Sequence, residues 1–274
     1  MSLFDAFRYD GKRVLVVGGA TGMGAAAAEL ARDAGADVVV TDFAKITLPG
    51  VRAIHVNLAD QASIDAAVKE CGGKVHALFS CAGVADGTPA IEKINFVGHR
   101  HLIDRLLEND MLPGGSAIGF ISSTAGLGWE PNLAELRELF ATRDFDAAAR
   151  WFESRGKADY FSTKQAICAY VASQAFPLLK RGIRINAICP GPTDTPLARA
   201  NADRWLGFGT DYRSETGLEP FTPLEQAYVL VFLCSDAARA VSGVTLISDA
   251  GYWSSGITGS FPSATPFVNA LLGR

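Results

Sequence analysis

A phenol and an ammonium lie four residues apart in Tyr160-Phe161-Ser162-Thr163-Lys164, within a segment that otherwise reads as helix. Helical spacing of this kind puts both side chains on one face, one turn apart. A free phenol has a pKa of about 10 and transfers protons poorly at neutral pH; a cation held close favours the phenolate and draws that value toward the working range. Such a pair can protonate or deprotonate a substrate oxygen. Taken alone, the same spacing also arises on helices that do no chemistry.

A second set of residues suits a dinucleotide. Gly18, Gly22 and Gly24 follow the pattern GxxxGxG, which lets the backbone turn sharply and bring amides against a pyrophosphate at a helix N-terminus. Asp42 lies 24 residues beyond Gly18, where an acid accepts hydrogen bonds from a free adenosine ribose and repels a 2'-phosphate. NAD is therefore expected in preference to NADP.

These groups sit at the ends of predicted strands or in the helices that follow them. Compact apolar runs rich in β-branched residues mark strands at 13–18, 37–42, 51–58, 75–83, 115–123, 182–190 and 244–248, and helical patterns mark 25–35, 61–71, 88–109, 160 to 179 and 223–235. The alternation predicts an α/β fold, a Rossmann-type doubly wound parallel sheet of about seven strands with helices on both faces. One domain spans 1–274. The rhythm breaks over 128–159, where 132–140 and 145–153 are charged and helix-prone and predict a helical insertion; 196–218 reads as an irregular loop with scattered aromatics.

Bulk composition narrows the function further. The chain carries 25 basic and 29 acidic residues with no run of Lys or Arg, which argues against a nucleic-acid partner. Neither a signal-peptide pattern nor an apolar stretch of roughly 18 residues is present, so a cytoplasmic protein without a membrane partner is expected. The five cysteines are scattered and never in CxxC spacing, as small buried residues in a reducing compartment would be. No metal site is expected: His99-x-His101 is the nearest approach to ligand spacing, and on a helix those rings point to different faces.

With these pieces in order, the chain resembles the classical short-chain dehydrogenase/reductase family over about residues 11 to 253. Beside the glycine turn, Ser80-Cys81-Ala82-Gly83 stands where the family has NNAG, keeping the small residues and losing both amides. Ile94-Asn95-Phe-Val-Gly98 matches the family's helix Asn, the second serine of Ile121-Ser122-Ser123 its catalytic serine, and Tyr160 and Lys164 its YxxxK pair. Pro190-Gly191-Pro192-Thr193-Asp194-Thr195 matches PGxxxT, and Asp249-Ala-Gly251 is close to the closing DGG.

The resemblance implies a catalytic set of Asn95, Ser123, Tyr160 and Lys164. Tyr160 would be the general acid or base and Ser123 would hydrogen-bond the same substrate oxygen; Lys164 would lower the Tyr160 pKa and bind the nicotinamide ribose, and Asn95 would hold a relaying water. It places the cofactor along Gly18, Thr21, Gly22, Met23 and Gly24, then Asp42, Asn57, Leu58, Cys81, Ala82 and Gly83. Tyr160, Lys164, Pro190, Gly191, Thr193 and Thr195 complete that set. Asn57 replaces the family's usual Asp and still offers the adenine amine an oxygen. Should the serine assignment be off by one, Ser122 takes the catalytic place.

Ser123 and Tyr160 are 37 residues apart, far more than is usual in the family, and the excess is the insertion. A bacterial 3α-hydroxysteroid dehydrogenase/carbonyl reductase subgroup is similar in this respect. The insertion is expected to wall the substrate pocket and to cover the outer face of the Tyr160 helix, through which typical members pair into tetramers; a homodimer through another surface is expected, with a homotetramer the alternative. Leu127, Trp129, Leu197, Trp205, Leu206, Phe208, Tyr212 and Leu218 would give apolar lining for a bulky alcohol or ketone such as a hydroxysteroid. The competing expectation is a dinucleotide-sensing binding protein that does no chemistry; such proteins typically lose the Tyr or the Lys.

Overall fold

Short apolar runs become the strands; those inside the sheet are buried and the two at its edges are partly exposed. In the computed structural model, which describes residues 2–274, the strands are β1 (Arg13–Val17), β2 (Asp37–Asp42), β3 (Arg52–His55), β4 (Ala77–Ser80), β5 (Ala117–Ile121), β6 (Arg184–Pro190) and β7 (Thr245–Ser248). All pair in parallel, in the order β3-β2-β1-β4-β5-β6-β7. The chain thus reverses its direction of travel across the sheet between β1 and β4, opening a crevice outside the strand C-termini at the place where such folds take ligands.

The helices are α1 (Gly22–Asp33), α2 (Gln61–Cys71), α3 (Gly98–Glu108, entered through a π turn at Lys93–Val97), α4 (Leu133–Ala141), α5 (Phe145–Ser154) and α6 (Tyr160–Leu179). They continue with α7 (Pro196–Arg199), α8 (Ala202–Trp205), α9 (Thr210–Thr216), α10 (Pro223–Cys234), α11 (Tyr252–Thr258) and α12 (Thr265–Leu272). Alternate strand residues feed two cores. Val14, Val16, Val38, Val40 and Phe79 pack against the alanines of α1 and against α10. Leu15, Val17, Val39, Leu78, Ile118 and Phe120 pack against α2, α3 and α6.

The insertion is helical, as its sequence predicts, and forms α4 and α5. Leu136, Leu139, Phe145, Trp151 and Phe152 join the core of the α6 side. Phe96 stacks edge-on with Phe152 at 6.0 Å and with Tyr170 of α6 at 5.7 Å. Buried Arg100 donates to the Leu139 carbonyl at 2.9 Å, satisfying the C-terminal end of α4. The middle of α6, around Tyr170, is therefore covered by the chain itself, while Phe176 and Leu179 near its end stay exposed.

Two segments differ from expectation. The 196–218 loop is three short helices, α7 to α9, each too short for a periodicity search over longer windows to register; the first is capped by Thr195 Oγ1, which accepts from Ala198 N–H at 3.0 Å. Beyond Trp253 the chain forms α11 and α12 and folds back onto the loop after β5. No helix among the described residues is long and apolar enough to cross a membrane.

Candidate active site

The glycine turn is built by close approaches that only glycine permits. A Cβ on Gly18, where φ is +85°, would meet the Ala82 backbone at 2.4 Å, and one on Gly24 would meet the Gly18 carbonyl at 2.0 Å. Strand, turn and helix therefore close without side chains between them, leaving the N-terminus of α1 open to a groove of about 510 Å³. Gly18, Thr21, Gly22, Met23, Gly24, Asp42, Asn57, Leu58, Cys81, Ala82, Gly83 and Thr195 all line it.

Asp42 is fixed by its own hydrogen bonds: one oxygen accepts from Ala20 N–H at 2.9 Å and the other from Ala44 N–H at 2.8 Å. This holds a carboxylate, with lone pairs to spare, where a ribose would sit. Asn57 Oδ1 already accepts from Ala59 N–H at 3.0 Å, so one lone pair remains for a base amine.

The turn after β4 lacks the two amides of NNAG, and α3 with its π turn supplies the missing contacts. Asn95, fully buried, accepts from Val84 N–H at 2.8 Å and donates to the Val84 carbonyl at 3.1 Å and to Thr163 Oγ1 at 3.2 Å. His99 contacts the Ala82 carbonyl through Nε2 at 3.0 Å, and burial pushes its pKa down to about 4. The Nε2 of a neutral ring therefore carries the proton and donates it. Asn95 is accordingly a clamp between the turn and α6, with both amide hydrogens engaged. Its second Oδ1 lone pair is what remains to hold a water.

Tyr160 and Lys164 open α6. Asp159 caps the helix, accepting from Ser162 N–H at 2.7 Å. Burial pushes the Tyr160 phenol up to about 12, opposed by a hydrogen bond with the Ser123 hydroxyl. Burial brings the Lys164 ammonium down to about 8, and the thiols of Cys168, Cys189 and Cys81 oppose that shift. Lys164 Nζ donates to the Ile121 carbonyl at 3.0 Å and stands 5.5 Å from the centre of the Tyr160 ring. The pairing expected from the four-residue spacing is present, with burial as the largest influence on the phenol, favouring its protonated form.

The two serines separate by burial. Ser122 is buried at 3 % exposure and donates to the Lys164 carbonyl at 3.0 Å. The Ser123 hydroxyl accepts from Ala125 N–H at 3.2 Å and turns to the phenol. Ser123, Tyr160, Lys164, Pro190, Gly191, Thr193, Thr195 and Trp205 line a second cavity of about 360 Å³, which shares Met23, Cys81, Gly83, Thr195 and Leu197 with the nucleotide groove. Thr193 donates to the Gly191 carbonyl at 2.9 Å. Thr195, used as an acceptor by its helix cap, keeps a free hydroxyl hydrogen for a ligand.

The expected apolar wall needs correcting. Leu127 and Trp129 do not face the cavity; they pack with Trp253, Val268 and Leu271 under α12, and a Cβ on Gly128 would meet the Leu271 carbonyl at 2.1 Å. Leu206, which caps the C-terminus of α8, also lies outside the lining. Tyr212 packs against Tyr252 and Phe261, and Leu218 is another residue that does not line the cavity. No residue of the insertion lines it either. Of the residues named from sequence, Leu197, Trp205 and Phe208 do, joined by Asp86, Phe161, Arg204 and Phe267, which sequence reasoning missed. Nothing in the spacing marks Asp86 or Arg204. Phe267 becomes visible only when the tail folds back.

Comparisons with known proteins agree with this arrangement. A family model described as enoyl-(acyl carrier protein) reductase matches residues 143–253. A cis-4-hydroxycyclohexanecarboxylate dehydrogenase of Sinomonas cyclohexanicum is 31% identical over 260 residues, 88% of this chain and 96% of that one. A coniferyl-alcohol dehydrogenase of a Pseudomonas species is 26% identical, again over 88% of this chain and 96% of its own. A Pseudomonas 3-alpha-hydroxysteroid dehydrogenase crystallised with NADH superposes with a TM-score of 0.71 at 25% identity, covering 91% of this chain and 99% of that one.

Proposed function

This chain belongs to the classical short-chain dehydrogenase/reductase family and is an oxidoreductase of CH–OH groups, and from that premise we propose that it interconverts a secondary alcohol and a ketone on a bulky, ring-bearing apolar substrate, with Tyr160 as the general acid and base. The observation that carries this reading is that Ser123, Tyr160 and Lys164 line one cavity, with Lys164 Nζ 5.5 Å from the centre of the Tyr160 ring, where that cavity runs into the nucleotide groove.

The cradle fits a dinucleotide. The glycine turn would hold the pyrophosphate, Asp42 the adenosine ribose, Lys164 the nicotinamide ribose, and the Pro190 to Thr195 segment the carboxamide. NAD(H), when bound, supplies or accepts the hydride. The chain does the rest. In ketone reduction the protonated phenol donates to the substrate oxygen while Ser123 hydrogen-bonds it as charge develops. In alcohol oxidation Tyr160 must first lose its proton, and Asn95 with a water at its remaining lone pair would carry that proton away from the site. Phe161, Trp205, Phe208 and Phe267 supply flat apolar walls for the rest of the substrate. Cyclic and steroid secondary alcohols share that chemistry, and the names of two of the relatives fall within it.

A panel of cyclic and steroid secondary alcohols with NAD and NADP tests the reading. Turnover is expected with NAD, weak with NADP, and reduced by about 10²-fold or more in Tyr160→Phe. Unchanged turnover in that variant would refute the mechanism. We further propose a homodimer. Helix α4 packs against the middle of α6, while Leu224 and Tyr228 of α10 and Leu246 of the edge strand β7 stay 40% exposed or more.

A further inference from the structure

Asp86 follows β4 by a few residues and touches three elements that the catalytic reading treats separately. Its Oδ1 accepts from the backbone N–H of Tyr160 at 2.6 Å, and its Oδ2 accepts from Arg204 Nη1 at 3.0 Å. Arg204 precedes Trp205 on α8, and the Trp205 ring lies against the Tyr160 ring, 4.9 Å between centres and tilted by 43°. Asp86, Arg204, Trp205 and Tyr160 all border the substrate cavity. One carboxylate is thus shared between the first residue of the catalytic helix and the helix that lies over the phenol.

We propose that Asp86 is a positioning residue for proton transfer at Tyr160, holding the start of α6 through one oxygen and the α8 cover through the other. The proposal rests on the dehydrogenase reading above. The N–H of Tyr160 is one of the donors a helix start leaves unpaired, and a carboxylate there is favoured by the helix dipole. The Arg204 side chain is 62% exposed, so the ion pair adds little to folding stability. What it fixes is the place of Trp205, whose ring a substrate must slide beneath or displace to reach the phenol.

Asp86 also acts by charge. The phenol is faced by Lys164 on its own helix, Ser123 after β5, Cys189 on β6, Asp86 after β4 and, beyond Asp86, Arg204 on α8. Among these the Asp86 carboxylate pushes the phenol toward its protonated form, and Arg204, paired with that carboxylate, carries the opposite charge. Removing either partner therefore displaces the phenol in opposite directions, which a purely structural contact does not do.

The test is the pH profile of alcohol oxidation in the full-length protein for Asp86→Asn and Arg204→Gln, with melting temperatures alongside. Asn keeps an acceptor for the Tyr160 amide and removes the charge. Its rising limb is expected to move to lower pH by about one unit, and that of Arg204→Gln to move to higher pH. Asp86→Ala, which removes the acceptor as well, is expected to lower kcat in addition. Limbs that stay in place, or move the same way in both variants while melting temperatures hold, overturn the proposal and leave the dehydrogenase reading standing. Should no alcohol turn over in the wild type, that reading fails instead. Tyrosinate absorbance, taken as the difference from Tyr160→Phe in each background, then reports the same opposed shifts without turnover, and their absence overturns the proposal.

Discussion

Ser122 and Ser123 are chemically identical neighbours, and their difference in role comes from where the strand ends. At the close of β5 successive side chains point to opposite sides; Ser122 turns inward to the Lys164 carbonyl and Ser123 outward to the phenol. Ser123→Ala is therefore expected to lower kcat by about 10²-fold with little change in melting temperature. Ser122→Ala is expected to cost about 1 kcal/mol of stability, read from urea unfolding, with kcat nearly kept. The reverse result would move the catalytic assignment by one residue. Sequence narrowed the choice to this pair, and both line the cavity, with Ser122 Oγ already engaged by the Lys164 carbonyl. At Tyr160 the neighbour Lys164 was legible from spacing, whereas the upward push of burial on the phenol was not, because desolvation depends on every element packed around the ring.

At the scale of elements, the turn after β4 shows how a motif can lose its residues and keep its shape. Ser80 and Cys81 stand where two amides are usual, and Asn95 and His99, one helical turn apart, hold the turn from the other side. Burial keeps His99 neutral there. Its pKa falls from 6.5 in an open chain to about 4 in the fold, so between those values the unfolded chain takes up a proton that the folded one refuses. The stability His99 contributes is whole above that window and is lost as pH falls through it, by up to about 3 kcal/mol. Urea unfolding above and below the window checks this; His99→Gln is expected to flatten the dependence, and an equally steep loss in that variant would show that other groups carry it. The insertion gives the opposite case. Its helices were legible from charge and periodicity, and so was its covering of α6, but not its distance from the substrate, since the loop that leads into it is captured by α12.

At the scale of the whole molecule, the covered face of α6 bears on assembly. Sedimentation is expected to give twice the chain mass of 29.0 kDa, and a tetramer built through α6 would overturn the dimer. The sequence by itself determined the strand and helix order, the glycine turn, the acid at the end of β2 and the Tyr160 to Lys164 pair. Each of these is a local requirement: hydrophobic period, φ sign and helical spacing act over a few residues and leave their mark in order along the chain. Only the tertiary structure decided the substrate wall, the tie from Asp86 to Arg204, the fate of Leu127 and Trp129, and the proton affinity of the phenol. Those depend on segments far apart in sequence arriving at one place, with Phe267 folding back to join Tyr160 and the loop after β4 meeting α8. A single sequence carries no periodic signal for such meetings, because they are set by packing and desolvation summed over the whole fold.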